Sequence, residues 1–327
     1  MTRTTPPRPV DIAAVFPELA PLARSAVRLH PRLGQPSVHE SSIGGPLLWP
    51  AGEHWPTCTA EHELYDKPVS VDDVRRRRDL LDAAWLRPRA PEEDLLTPEQ
   101  RSYLLELEEG HPAHSEPNPL LPVAQLYLHD VPGLTGPDGA DVLQVLWCPL
   151  DHDDYAPAVR LVWRNSSEVG SVLAEPPVPL DVQDGYVPEP CVVHPEVVTE
   201  YPAPLELPEE LADRLDAWSH GSSDYFTAHS IAPGWKVGGW GPWNINDPRP
   251  MNCVVCGAGY RPFLTIASGE WYGSHRSWIP IEDRDQPGPV GLRDSANPPM
   301  VEIGSDDNLQ VYSCPTSFDH PHFTYTQ

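Results

Sequence analysis

Two stretches of this chain carry the same landmarks in the same order. The later one runs Val237-Gly-Gly-Trp240, then Asn252-Cys-Val-Val-Cys-Gly257, and closes at Leu309-Gln-Val-Tyr-Ser-Cys-Pro315. The earlier, weaker copy has Ile43-Gly-Gly45, Cys58 and Leu143-Gln-Val-Leu-Trp-Cys-Pro149. Gly44 and Gly45 pair with Gly238 and Gly239, Cys58 with Cys253, and Cys148 with Cys314. Short apolar segments, Pro122–Leu126 and Pro262–Ile266, fall between them. Clusters of acid and histidine follow, at Asp151–Asp154 and Asp319–His322. One match is chance; an ordered set points to an internal repeat.

The expected fold is therefore α+β and predominantly β. Duplicated β-sheet modules pack into one body, with short helices at the periphery. The 43 prolines and 22 glycines agree with this, because a chain that turns so often favours short strands over long helices. The expected organisation is an N-terminal helical segment at 1–37 and a first repeat at 38–172. A helical insertion occupies about 63–116 within that repeat. A proline-rich joint with a short helix covers 173–229, and the second repeat runs from 230 to 327.

Local signals fill in the elements. Residues 11–29 have helical spacing interrupted by Pro17 and Pro21, which predicts one or two turns packed on the first repeat. Val71, Val74, Leu81 and Trp85 share a helical face. The run Arg75–Arg78 between them reads as a solvated face, neutralised by Asp72, Asp73, Asp79 and Asp82. Thr97-Pro-Glu-Gln100 is a capping box with proline at the first helical position. Strands are predicted at 122–128, 141–148, 158–163, 262–266 and 309–314. The loop 281–298 reads as acidic and mobile.

Charge narrows the partners. With 22 Lys+Arg against 48 Asp+Glu, the net charge is -26. Such a surface repels nucleic acid and anionic membranes and attracts a basic protein. No apolar run approaches the roughly 18 residues of a membrane span. Met1–Val10 lacks a secretory-type hydrophobic core, so a cytoplasmic location is expected.

Six cysteines in such a chain point to metal ligation or buried thiols rather than a disulfide framework. Cys253-x-x-Cys256-Gly257 is a zinc-knuckle half-site, and Cys314 supplies a third sulfur. His320 is the expected fourth ligand, with His322 and Asp319 as alternatives. A closed set of four would make the zinc structural. A fainter second set is Cys58, His62, Cys148 and His152, with Cys191 and His194 as substitutes. Asp151–Asp154 is a further, acidic candidate for a cation, or simply a solvated turn.

Ser42-Ile-Gly-Gly-Pro-Leu-Leu-Trp-Pro50, the Val-Ala-Gln-Leu strand at 123–126, the two Leu-Gln-Val strands and the late Val-Gly-Gly-Trp resemble the YwqG-like family of bacterial proteins. The resemblance covers roughly residues 38–322, with 63–116 as extra material. The family is a domain of unknown function. It is related to the eukaryotic programmed cell death protein 2 group, whose members are dedicated chaperones of a ribosomal protein. The resemblance thus implies a protein-binding role.

No nucleophile elbow, phosphate-cradling loop or His-Glu-x-x-His pair occurs. The expected function is a non-enzymatic, protein-binding module with a structural zinc. It would be a chaperone-like or inhibitor/immunity-like binder of a basic partner. The alternative is a small-molecule binder or enzyme using an aromatic cleft between the repeats, near Trp49, Trp55, Trp235, Trp240 and Trp243.

Overall fold

A computed structural model describes residues 2–327 except 63, 65, 91, 153–154, 220–223, 244 and 285–294. The described residues form a sheet-rich α+β protein. One six-stranded sheet contains β2 (Arg32–Leu33), β3 (Ser42–Ile43), β6 (Leu121–Tyr127), β7 (Val142–Asp151), β8 (Pro157–Arg164) and β9 (Cys191–Val192). The other contains β1 (Arg24–Arg28), β10 (Glu196–Glu200), β11 (Lys236–Gly238), β12 (Arg261–Ala267), β13 (Asn308–Ser313) and β14 (Phe323–Thr326). A small ribbon joins β4 (Thr57–Cys58) to β5 (Asn118–Pro119).

The first sheet has the order β2-β9-β3-β6-β7-β8 and the second β10-β1-β11-β12-β13-β14, all antiparallel. The two orders match strand for strand. The register matches as well. Arg32, Val192, Ser42, Gln125, Gln144 and Val162 form one row across the first sheet. Glu196, Arg28, Lys236, Thr265, Gln310 and Tyr325 form the corresponding row of the second. Each sheet even has its irregularity at the same place, Pro122/Ala124 and Pro262/Leu264. Proline cannot donate to a ladder and is tolerated at such a bulge.

The matching has a twist in connectivity. β1 lies in the second sheet beside β11, and β9 lies in the first beside β3. Each half therefore lends its opening strand to the other half's sheet. Residues 1–37 consequently supply two strands as well as helix, and the 173–229 joint supplies β9 and β10. Both lending strands end in the same turn, Leu29-His-Pro31 and Val193-His-Pro195, and the His194 amide donates to the Leu29 carbonyl at 2.7 Å.

The inner faces of the two sheets share one core. Val27, Val237, Leu264 and Val311 meet Ile43, Ala124, Val145 and Leu143 in a single buried cluster. Burying each such side chain favours folding by roughly 1.5–3 kcal/mol. β7 is buried along its whole length, because the core covers one of its faces. Leu47, Trp49, Leu120 and the other β7 side chains, among them Leu146 and Cys148, form a second cluster.

The helices depart from the sequence reading in two places. α1 (Ile12–Val15) and the following 3-10 turn pack on α4 (Glu209–Trp218) through Ile12, Phe16, Leu19, Leu211 and Leu215, not on the first repeat. In α2 (Val71–Leu86), Arg78 is not solvated. It is 3% exposed and donates to the Val187 carbonyl and to the Asp184 and Glu189 carboxylates. Trp85 instead is exposed. α3 (Pro98–Glu108) starts on the expected capping box. Most of the 281–298 loop lies outside the described residues.

Candidate metal centres

Each sheet carries a quartet of Cys and His side chains at matching places. In the second, the Cys253–Gly257 turn folds back on itself: Gly257 N–H donates to the Cys253 carbonyl at 2.8 Å, and Gly257 has φ +74°. That left-handed conformation suits glycine, which has no Cβ to clash. The turn presents Cys253 and Cys256 to Cys314, which follows β13, and to His320 in the β13–β14 connection. The separations are 3.5 Å for Cys256–Cys314, 3.3 Å for Cys314–His320 and 3.6 Å for Cys253–His320.

In the first sheet, Cys58 comes from β4, His62 from the loop after it, Cys148 from within β7 and His152 from just past the end of β7. Cys148 lies 3.3 Å from His62 and Cys58 lies 3.8 Å from His152. In each quartet all four ligand atoms lie within 4.8 Å of one another, so each group can hold a metal ion. Neighbouring ligands on a tetrahedral zinc, with Zn–S near 2.3 Å and Zn–N near 2.0–2.1 Å, sit about 3.3–3.8 Å apart.

The remaining sequence candidates lie elsewhere. His322 Nε2 is 3.1 Å from the Val159 carbonyl of β8. Cys191 is buried within the shared core. His194 and Asp319 belong to neither quartet. Asp153 and Asp154 lie outside the described residues. Asp151 accepts from Tyr186 and Gln183 in the structure.

Electrostatics separate the two sites. At Cys314 desolvation opposes ionisation, but hydrogen bonds from Thr316, His320 and Cys256 outweigh it and draw the thiol down to about 5. Cys253 is also lowered: desolvation is outweighed chiefly by the amides of Cys256 and Val255. His320 is raised by its hydrogen bond to Cys314. In the first site burial, then the adjacent Cys58, pushes the Cys148 thiol up, while burial lowers His62. The second site thus favours thiolates at Cys253 and Cys314, and the first needs a cation to ionise Cys148.

A third grouping, His111, His114 and Asp181, also brings its ligand atoms within 4.8 Å. Sequence reasoning missed it, because its carboxylate lies far along the chain. His114 Nδ1 and amide both hydrogen-bond Asp181, at 2.7 and 2.8 Å, and this raises His114. The group is satisfied as an ion pair.

No family model and no curated protein matches this chain. The aromatic cleft expected between the repeats is not formed as one site. Trp49 and Trp55 pack at a tilt, with ring centroids 4.9 Å apart and planes at 53°, over the first sheet. Trp235 lies in the shared core, and Trp243 and Trp240 pack in a separate cluster. Among the described residues no helix is long and apolar enough to cross a membrane.

Proposed function

We propose that the protein is a non-enzymatic, protein-binding scaffold. Two structural zinc ions hold it together, one per quartet, and it takes a basic protein as its partner. The observation that carries the reading is the pair of four-ligand quartets at matching places in the two sheets. Four protein ligands fill a tetrahedral ion and leave no position for substrate or water. Each ion ties a loop to the end of a central strand, which suits a chain rich in proline turns.

The net charge of -26 supports the choice of partner. A large single-sign field steers an oppositely charged protein and excludes nucleic acid. The chaperone-like and inhibitor/immunity-like roles both draw on that field, and the cytoplasm is the proposed location. We read the matching strand orders as descent from one duplicated unit, and the resemblance to the YwqG-like family belongs to the same proposal.

The experiment is affinity capture from the native cell with the tagged, metal-loaded chain, followed by mass spectrometry. A basic protein should be retained in stoichiometric amount at low salt and released as salt rises. Retention of no protein, or of an acidic partner indifferent to salt, contradicts the reading.

A further inference from the structure

The corresponding rows of the two sheets differ at one position that matters. Gln125 of the first sheet stands where the second has Thr265. In the first sheet two glutamines clamp the peptide of Leu48. Gln125 Oε1 accepts the Leu48 N–H at 2.7 Å, and Gln144 Nε2 donates to the Leu48 carbonyl at 3.0 Å. Counting on from the paired glycines, Leu48 corresponds to Pro242, which has no N–H to give. Both partners of that clamp are therefore altered together.

The consequence is space. The Thr265 hydroxyl reaches only to Gln310 Oε1, at 3.0 Å. Gln310 is 1% exposed, and its Nε2 has no partner. A cavity of about 400 Å3 lies over the outer face of the sheet, lined by Lys236, Thr265, Phe226, Ile231, Trp243 and Tyr272 among others. The buried Tyr272 hydroxyl also has no partner. Buried donors without acceptors are costly, and native structures rarely keep them unless something binds there. The size is within the range of small-molecule sites, about 300–1,000 Å3.

We propose that this cavity binds a small molecule with an apolar body and one amide group, replacing the peptide of Leu48 that fills the equivalent place in the first sheet. The walls take the apolar body, and the unpartnered Tyr272 hydroxyl, which lines the cavity with Thr265, supplies the polar contact. The Lys236 ammonium lies 2.6 Å from Glu200 and 2.8 Å from the Trp240 carbonyl. Its charge is neutralised, so the site favours a neutral amide over a carboxylate. The site stands apart from both quartets and does not depend on the basic-partner reading.

The probe is 4-methylpentanamide, titrated into the metal-loaded full chain and followed by saturation-transfer NMR and tryptophan fluorescence. Binding should saturate, whereas acetamide, which lacks the apolar body, should not compete. Thr265→Gln restores the longer side chain of the first sheet. It should weaken the probe by at least about tenfold while metal content and Tm stay at wild-type values. Tyr272→Phe removes one hydroxyl and should weaken binding several-fold, which decides the matter if the first variant does not fold. No saturable binding to wild type, or wild-type affinity in the folded variants, overturns the proposal.

Discussion

His320 Nδ1 lies 3.3 Å from Cys314 Sγ, and the same 3.3 Å separates His62 Nε2 from Cys148 Sγ. The two pairs are built differently: His320 follows Cys314 in the connection after β13, whereas His62 reaches Cys148, inside β7, from the loop after β4. Replacing Cys253 by Ser removes a thiolate from the second quartet. We expect Tm to fall by about 10 °C or more, since losing a structural ion costs several kcal/mol and each shifts a chain of this size by about 2–4 °C. A thermal melt of the variant beside wild type checks this. An unchanged melt would remove the structural role.

Acid should empty the two sites in order. With Cys314 drawn down to about 5 and Cys148 pushed up, protons compete more strongly for the first quartet. Metal must displace those protons, so affinity falls sooner there as pH drops. Dialysis at stepwise lower pH, with metal counted at each step, should show one equivalent lost at a higher pH than the second. Cys58→Ser should abolish the early step only. Simultaneous loss would contradict the difference.

Lys236 and Glu200 are both nearly inaccessible to water, with the ammonium 2.6 Å from the carboxylate. Glu200 also accepts the amides of Ala232 and Trp240, at 2.9 and 2.8 Å. Lys236→Met leaves that carboxylate buried without its cation and should cost about 3–5 kcal/mol by denaturant titration. Gly239→Ala tests the same spot. Gly239 has φ +73°, and a Cβ there would lie 2.2 Å from Glu200 Oε2. If either variant is as stable as wild type, the buried pair is not positioned as described.

Burial first, then surrounding positive charge including Arg3 and Arg32, lowers His194 from 6.5 to about 4. The unfolded chain therefore binds this proton at a pH where the folded one does not. The associated stability is present above pH 6.5 and is lost as pH falls towards 4. Unfolding free energies between pH 7 and 4 should decline, and His194→Gln should flatten part of that decline. A variant with the wild-type slope would contradict it.

Much of the architecture was legible in the residues. The strands at 122–128, 141–148, 262–266 and 309–314 announce themselves through β-branched and aliphatic runs bounded by Pro and Gly. The grouping of Cys253, Cys256 and Cys314 was readable because their spacing around a glycine turn brings sulfurs to one place. The strand exchange was hidden. β9 has two residues and β1 only five, too short for periodicity to register. The signal available was the shared Leu-His-Pro and Val-His-Pro turn, which marks the two lending strands as equivalent. Arg78 was misread because its carboxylate partners, Asp184 and Glu189, are more than a hundred residues away. Charge counted locally cannot see them. The Trp cleft was drawn between the repeats from Trp49 and Trp55 of one and Trp235, Trp240 and Trp243 of the other, whereas the fold distributes them over three clusters.

The central claim is that each sheet is tied by its own bound ion. Native mass spectrometry of the purified chain, without added metal, tests it most directly. The account predicts a mass above that of the apoprotein by two zinc ions, falling to one in Cys253→Ser and to one in Cys58→Ser. A metal-free mass for the folded wild-type chain would contradict it.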